Sequence, residues 1–127
     1  PWEDDGFYMD LLWDNIISLT NNFLNSGITV VIEYVIFEDQ LKKIAAFLKE
    51  KQIKLKYCVL IAEEETLKDR DSSRKEIERT GDLSIQARND FLAKNSEKRH
   101  FLYTDDIDVK ETVGIIKTSN QFLISEQ

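Results

Sequence analysis

The chain has 127 residues, 42% hydrophobic and 10% aromatic, enough apolar material to build a core and to exclude disorder along its whole length. Its 24 acidic and 17 basic side chains give a net charge of -7, which excludes broad, nonspecific nucleic-acid binding, since that needs a basic surface to neutralise phosphates. No stretch approaches the ~20 apolar residues that span a bilayer, so no membrane partner is expected.

The charge is unevenly distributed. Glu3, Asp4, Asp5, Asp10, Asp14, Glu33, Glu38 and Asp39 all precede Lys42, the first basic residue. Cys58 is the single cysteine and lies in an apolar run, which rules out an intrachain disulfide or a cysteine-cluster zinc site. With no basic start leading into an apolar leader, the expectation is a cytoplasmic segment with a buried structural thiol.

In chain order, Leu12, Ile16, Leu19 and Phe23 repeat at helical spacing within Met9 to Ser26, and Gly27 is placed to stop that helix. ITVVIEYVI, Ile28 to Ile36, is β-branched and apolar on both faces, which predicts a central parallel strand. Leu41, Ile44, Ala45 and Leu48 give a second helical face, and LKYCVLIA, Leu55 to Ala62, a second strand. Helical composition resumes at Glu64, breaks at Thr80-Gly81-Asp82 and continues from Ser84 to Lys94. His100 to Thr104 reads as a third strand. Asp108 and Glu111 form a capping-box pattern that opens a last helix, with Val109, Val113 and Ile116 on one face. This alternation predicts an α/β domain over residues 1–127, its mostly parallel sheet flanked by helices. Ligands in such sheets sit beyond the carboxyl ends of the strands, here Glu33 and Tyr34, Ala62 to Glu65, and Thr104 to Asp108.

LKDRDSSRKEIERTGD, Leu67 to Asp82, starts in the helix that leaves the second of those ends. One reading is a solvated helix with pairs such as Asp71 and Lys75 at i, i+4. Against it, Arg70 and Arg74 share a helical face and repel by roughly 0.2–0.5 kcal/mol unless an anion lies between them. Arginine also suits multidentate phosphate binding.

A buried strand YCVLIA, a short acidic turn, a helix bearing Arg70-Asp71-Ser72-Ser73-Arg74, and a Gly-containing lid at Arg79-Thr80-Gly81-Asp82 with Arg88 just after it resemble the second half of a P-loop small-molecule kinase. The gluconate, shikimate and chloramphenicol phosphotransferases and related nucleotide kinases are similar. TVVIEY resembles that family's acceptor-side strand, and TDDIDVKETV its last strand, adenine-side loop and closing helix. The resemblance implies a three-layer P-loop NTPase-like sandwich with a lid at about residues 75–90. It implies ATP and Mg2+ as cofactors and phosphoryl transfer to a small hydroxylated acceptor. Arg70 and Arg74 would lie by the base and phosphates, with Asp105 and Asp106 near base or ribose. Arg79 and Arg88 would approach the transferring group as the lid closes. Glu33 would hold a metal-bound water or orient the acceptor hydroxyl, and Tyr34 would line the acceptor pocket. An acid emerging into solvent at a strand end is the plainer account of Glu33, and an N-cap fully explains Asp108.

The family's GxxxxGK[ST] is missing, because Gly6, Gly27, Gly81 and Gly114 are the only glycines and none has that spacing. The expectation is therefore that this numbering begins inside a longer protein, after the first strands and the phosphate loop. Two other readings remain: a noncatalytic α/β interaction module of flavodoxin-like or receiver-like kind, and a relative that binds nucleotide without transferring phosphate. His100, the single histidine, lacks the partners for a transition-metal site or a nucleophile pair. Trp2 and Trp13 are expected to pack rather than to stack on bases.

Overall fold

The computed structural model describes residues 6–124. It is a mixed α/β structure that divides into two compact units, Pro1–Ile53 and Lys54–Gln127. Trp2 lies outside the described residues.

The first unit contains α1 (Phe7–Asn25) and α2 (Glu38–Glu50). Helix α1 ends as its glycine requires: Gly27 takes φ +75, its amide donates to Leu24, and the next amide, Ile28, reaches back to Phe23. Only a left-handed residue lets both bonds form, and glycine adopts that conformation without a Cβ penalty. Helix α2 ends the same way on Gln52, at φ +57, with Gln52 donating to Lys49 and Ile53 to Leu48. It starts with the Gln40 side chain accepting from the Phe37 amide at 3.1 Å. Leu41, Ile44 and Leu48 are buried, as the spacing of its apolar residues predicts. Lys43 reaches Asp14 on α1 at 3.0 Å, but both side chains are well exposed, so the pair contributes only about 0–1 kcal/mol.

Two expectations for this unit are corrected. The predicted inner face of α1 leaves Leu19 and Phe23 exposed, and Trp13 and Thr20, seven residues apart, are buried instead. The segment from Ile28 to Ile36 is irregular and bends at Tyr34 instead of forming the predicted central strand, with Val31 88% exposed. Its β-branched residues favour an extended backbone; a strand also needs hydrogen bonds from a neighbour, which local sequence does not supply.

The second unit runs β1 (Val59–Ile61), α3 (Glu64–Ser72), α4 (Leu83–Lys94), β2 (Phe101–Tyr103) and α5 (Val109–Thr118), with short 3-10 turns at Glu76–Glu78 and Lys98–His100. β1 and β2 pair in parallel with Val59 opposite Phe101 and Ile61 opposite Tyr103. Ahead of β1, Tyr57 donates to Phe122 at 2.8 Å and Leu55 accepts from Ile124 at 2.9 Å, so the chain after α5 lies antiparallel to Leu55–Tyr57. Tyr57, Val59, Ile61, Ala62, Phe101 and Phe122 are buried, and Phe122 is fully enclosed. Inside this core the Asn95 amide donates to the Tyr57 hydroxyl at 2.9 Å, which lets the phenol be buried without losing a polar contact.

The N-cap half of the pattern at the last helix forms: Asp108 accepts from the Glu111 amide at 2.8 Å. At its other end Lys56 donates to the carbonyls of Ile116 and Lys117, cation against the negative end of the helix. The expected helix through the arginine stretch stops at Ser72, so Arg74 lies beyond the end of α3 and does not share a helical face with Arg70. Asp, Ser and Ser side chains compete for the backbone there, and Ser72 and Ser73 bond back to the carbonyls of Asp69 and Arg70. The strand read over His100 to Thr104 shortens to Phe101–Tyr103 because His100 closes a 3-10 turn.

Candidate functional site

The polar side chains of the second unit gather where β1 and β2 end. Parallel pairing puts both carboxyl ends on the same side, so Ala62 and Glu63 leave one strand beside Thr104 and Asp105 leaving the other. Asp105 Oδ1 accepts from the Glu63 amide at 2.9 Å and from the Thr66 hydroxyl at 2.6 Å, tying the start of α3 to the turn after β2. These two bonds, with Thr66 first, hold the Asp105 carboxyl below the usual carboxylate range. Asp106, the next residue, is exposed.

Arg70, from the last turn of α3, places both terminal nitrogens on Thr104, 2.9 Å from the hydroxyl and 2.6 Å from the carbonyl. Arg88 on α4 donates Nε to the Ala62 carbonyl at 2.7 Å and pairs with Glu63 at 3.2 Å. Each arginine therefore closes the carboxyl end of one strand. Beside them an apolar groove of about 670 Å³ runs between α3 and α5, lined by Leu60, Leu67, Val109, Val113 and Ile116 with Arg70, Thr104 and Asp108 at its polar end.

Arg79 and Arg74 belong to the loop between α3 and α4. Arg79 donates to the carbonyls of Arg74 at 3.2 Å and Ser72 at 3.1 Å. Arg74 makes only a 3.8 Å approach to Asp71, its guanidinium about half exposed. Asp71 is the centre of the loop: it accepts from the Thr80 amide, the Thr80 hydroxyl and the Gly81 amide at 2.7, 3.1 and 3.0 Å. The Thr80 amide, chiefly, holds its carboxyl below the usual range, with Gly81 and Arg74 acting in the same direction.

No family model matches this chain, and no curated protein matches it in sequence. The chemistry has to be read from the residues themselves. Of those singled out in the sequence, Arg70, Arg88 and Asp105 meet at the strand ends, and Arg74 and Arg79 share the neighbouring loop. Glu33 and Tyr34 lie in the first unit, on the irregular segment that bends at Tyr34; Glu33 is exposed and ends no strand. Tyr34 packs edge-on to Trp13 at 5.9 Å. Thr66, Thr104 and Asp71 were not singled out as site residues, although they hold the others in place. A signal for Thr66 and Thr104 was present in the sequence, since each sits within a few residues of a strand's carboxyl end.

The donor set accommodates a triphosphate and magnesium only in part. Backbone amides in a glycine-rich cradle are absent from these 127 residues, and among the described residues no group of three His, Cys, Asp or Glu side chains is placed to hold a metal ion. Arg70, Arg79 and Arg88 have donors on the chain's own oxygens, which leaves Arg74 as the most weakly engaged of the four. Cys58 is half-buried and burial pushes its thiol up to about 11, so it is no nucleophile at neutral pH. His100 is buried, edge-on to Tyr57 and 3.5 Å from Glu97, as a packing residue would be.

Proposed function

We propose that this chain supplies the arginine lid and the base-side turn of an ATP-dependent small-molecule phosphotransferase with a P-loop-kinase-like sandwich. Its phosphate cradle would come from residues outside these 127. The observation that carries the reading is convergence: Arg70 from α3, Arg88 from α4 and the Thr104–Asp106 turn meet at the carboxyl ends of two parallel strands, where α/β sheets bind ligands, and the Gly81 loop joins those two helices. In this reading Arg74 meets an anionic ligand first, being the least engaged. Arg79 and Arg88 reach one only by leaving the carbonyls they now hold. Arg70, fixed on Thr104, orients the turn against which the base would rest, with Asp105 and Asp106 beside it. The acceptor would be a small hydroxylated molecule.

Calorimetry with ATP and Mg2+ on the protein expressed from its natural gene tests this reading. Saturable binding is expected, weakened about tenfold or more by Arg74→Ala, the size of one charge-assisted hydrogen bond of ~1.5–3 kcal/mol. Transfer of the terminal phosphoryl group to small hydroxylated compounds would then identify the acceptor. Unchanged affinity in the variant removes Arg74 from the site. A second reading, a noncatalytic α/β interaction module, is favoured by the irregular segment that exposes Val31, Tyr34 and Val35. It predicts no saturable heat with ATP and Mg2+ at all.

A further inference from the structure

A carboxylate amid Arg70, Arg74 and Arg79 weakens an anion site unless it does something else there. The loop from Ser73 to Arg79 has no buried residue, and Ile77, its one large apolar side chain, is 93% exposed. Apolar packing therefore does not hold it, and its shape depends on polar contacts. Two sets are present. Asp71, its side chain only 14% exposed, takes the Thr80 amide and hydroxyl on Oδ1 and the Gly81 amide on Oδ2, joining the end of α3 to the approach to α4. From the far end of the loop Arg79 reaches back to the Ser72 and Arg74 carbonyls. Gly81, whose amide the carboxylate holds, takes φ +59 as the chain turns toward α4, a conformation that suits glycine.

We infer that Asp71 is a positioning residue: it latches the Ser73–Arg79 loop shut and so sets where Arg74 and Arg79 stand for an anionic ligand. The latch itself rests on the hydrogen bonds alone; its consequence for ligand binding rests on the phosphotransferase reading. Asp71 touches no ligand in this scheme and acts through the two arginines.

The test uses the protein expressed from its natural gene, as wild type, Asp71→Ala and Asp71→Asn. Amide exchange by NMR and trypsin cleavage after Arg74 and Lys75 report on the loop, and titration with ATP and Mg2+ reports on the arginines. In Asp71→Ala the Thr80 and Gly81 amides should exchange about tenfold faster or more and trypsin should cut faster by a similar factor, while the Val59–Ile61 amides stay protected. In Asp71→Asn the side-chain oxygen still accepts from Thr80, so Thr80 stays protected and Gly81 alone exchanges faster. ATP affinity should fall about tenfold in the alanine variant and return to within about twofold of wild type in the asparagine variant, which a general loss of folding would not reproduce. Unaltered Thr80 and Gly81 exchange in Asp71→Ala would overturn the latch. Faster exchange with unaltered ATP affinity overturns the positioning role. If wild type itself binds no ATP, the phosphotransferase reading and the ligand role both fall, and exchange and cleavage alone decide the latch.

Discussion

Arg88→Met separates an arginine that holds the fold from one kept ready for a ligand. The guanidinium is mostly enclosed, 13% exposed, and its Nε donates to the Ala62 carbonyl at 2.7 Å; Ala62 is itself 1% exposed. Methionine retains most of the aliphatic stem but leaves that carbonyl without its donor where water has little access, at about 1–3 kcal/mol. The Glu63 ion pair adds little, because Glu63 is 64% exposed and solvent screens it. The expected loss is about 2–3 kcal/mol, and a folding unit of 60–100 residues moves by ~4–8 °C per kcal/mol, so Tm should fall by about 10–20 °C. Urea unfolding followed by near-UV circular dichroism measures the change, with amide protection at Val59–Ile61 locating it in the second unit. A change below about 0.5 kcal/mol would refute the reasoning: Arg88 would then be free of Ala62 and available to a ligand without cost.

Other expectations follow from the same contacts. Phe122→Ala empties the most enclosed side-chain position of the second unit and should cost about 3–5 kcal/mol in urea unfolding, with early loss of protection at Tyr57, whose amide bonds to Phe122. Gln52→Gly should stabilise the first unit by about 0.5–1 kcal/mol, seen as a higher urea midpoint, because φ +57 suits glycine and strains glutamine. The carboxyl of Asp105 lies below its ordinary value of 3.8, so its contribution to stability is fully present above that value and is lost as pH falls through the lowered one. The stability gap between wild type and Asp105→Asn should therefore be constant from about pH 6 to 8 and close only below about pH 4. A gap that closed near neutral pH would mean that the Thr66 and Glu63 bonds are not what holds the carboxylate.

The end of α1, the cap of α5 and the buried face of α2 were legible in the sequence because their signals are local, whereas the faces expected for α1 and α5 leave Leu19, Phe23, Val109 and Val113 exposed. Gly27 had to end α1, Asp108 had to cap α5, and the Leu41, Ile44, Leu48 spacing had to bury one face of α2; each depends on residues within two turns of one another. β1 and β2 were legible as apolar runs. That they pair in parallel, with Val59 opposite Phe101, agrees with the helical stretches between them.

What local pattern left open was every choice of partner. Ile28 to Ile36 has the composition of a strand, yet a strand is completed by a neighbour's amides and carbonyls, and the segment is irregular with a bend at Tyr34. The spacing of Arg70 and Arg74 implied a shared face only while the helix continued, and the Asp71, Ser72, Ser73 side chains helped to end it at Ser72, before Arg74. Sequence by itself marked Arg70, Arg74, Arg79, Arg88, Asp105 and Asp106 as candidates, and Ala62 to Glu65 and Thr104 to Asp108 as strand ends. Tertiary structure decided that Arg70, Arg79 and Arg88 face the chain's own oxygens while Arg74 faces mainly solvent, because a guanidinium takes whichever acceptors folding brings within 3 Å or so, and those lie up to tens of residues away along the chain.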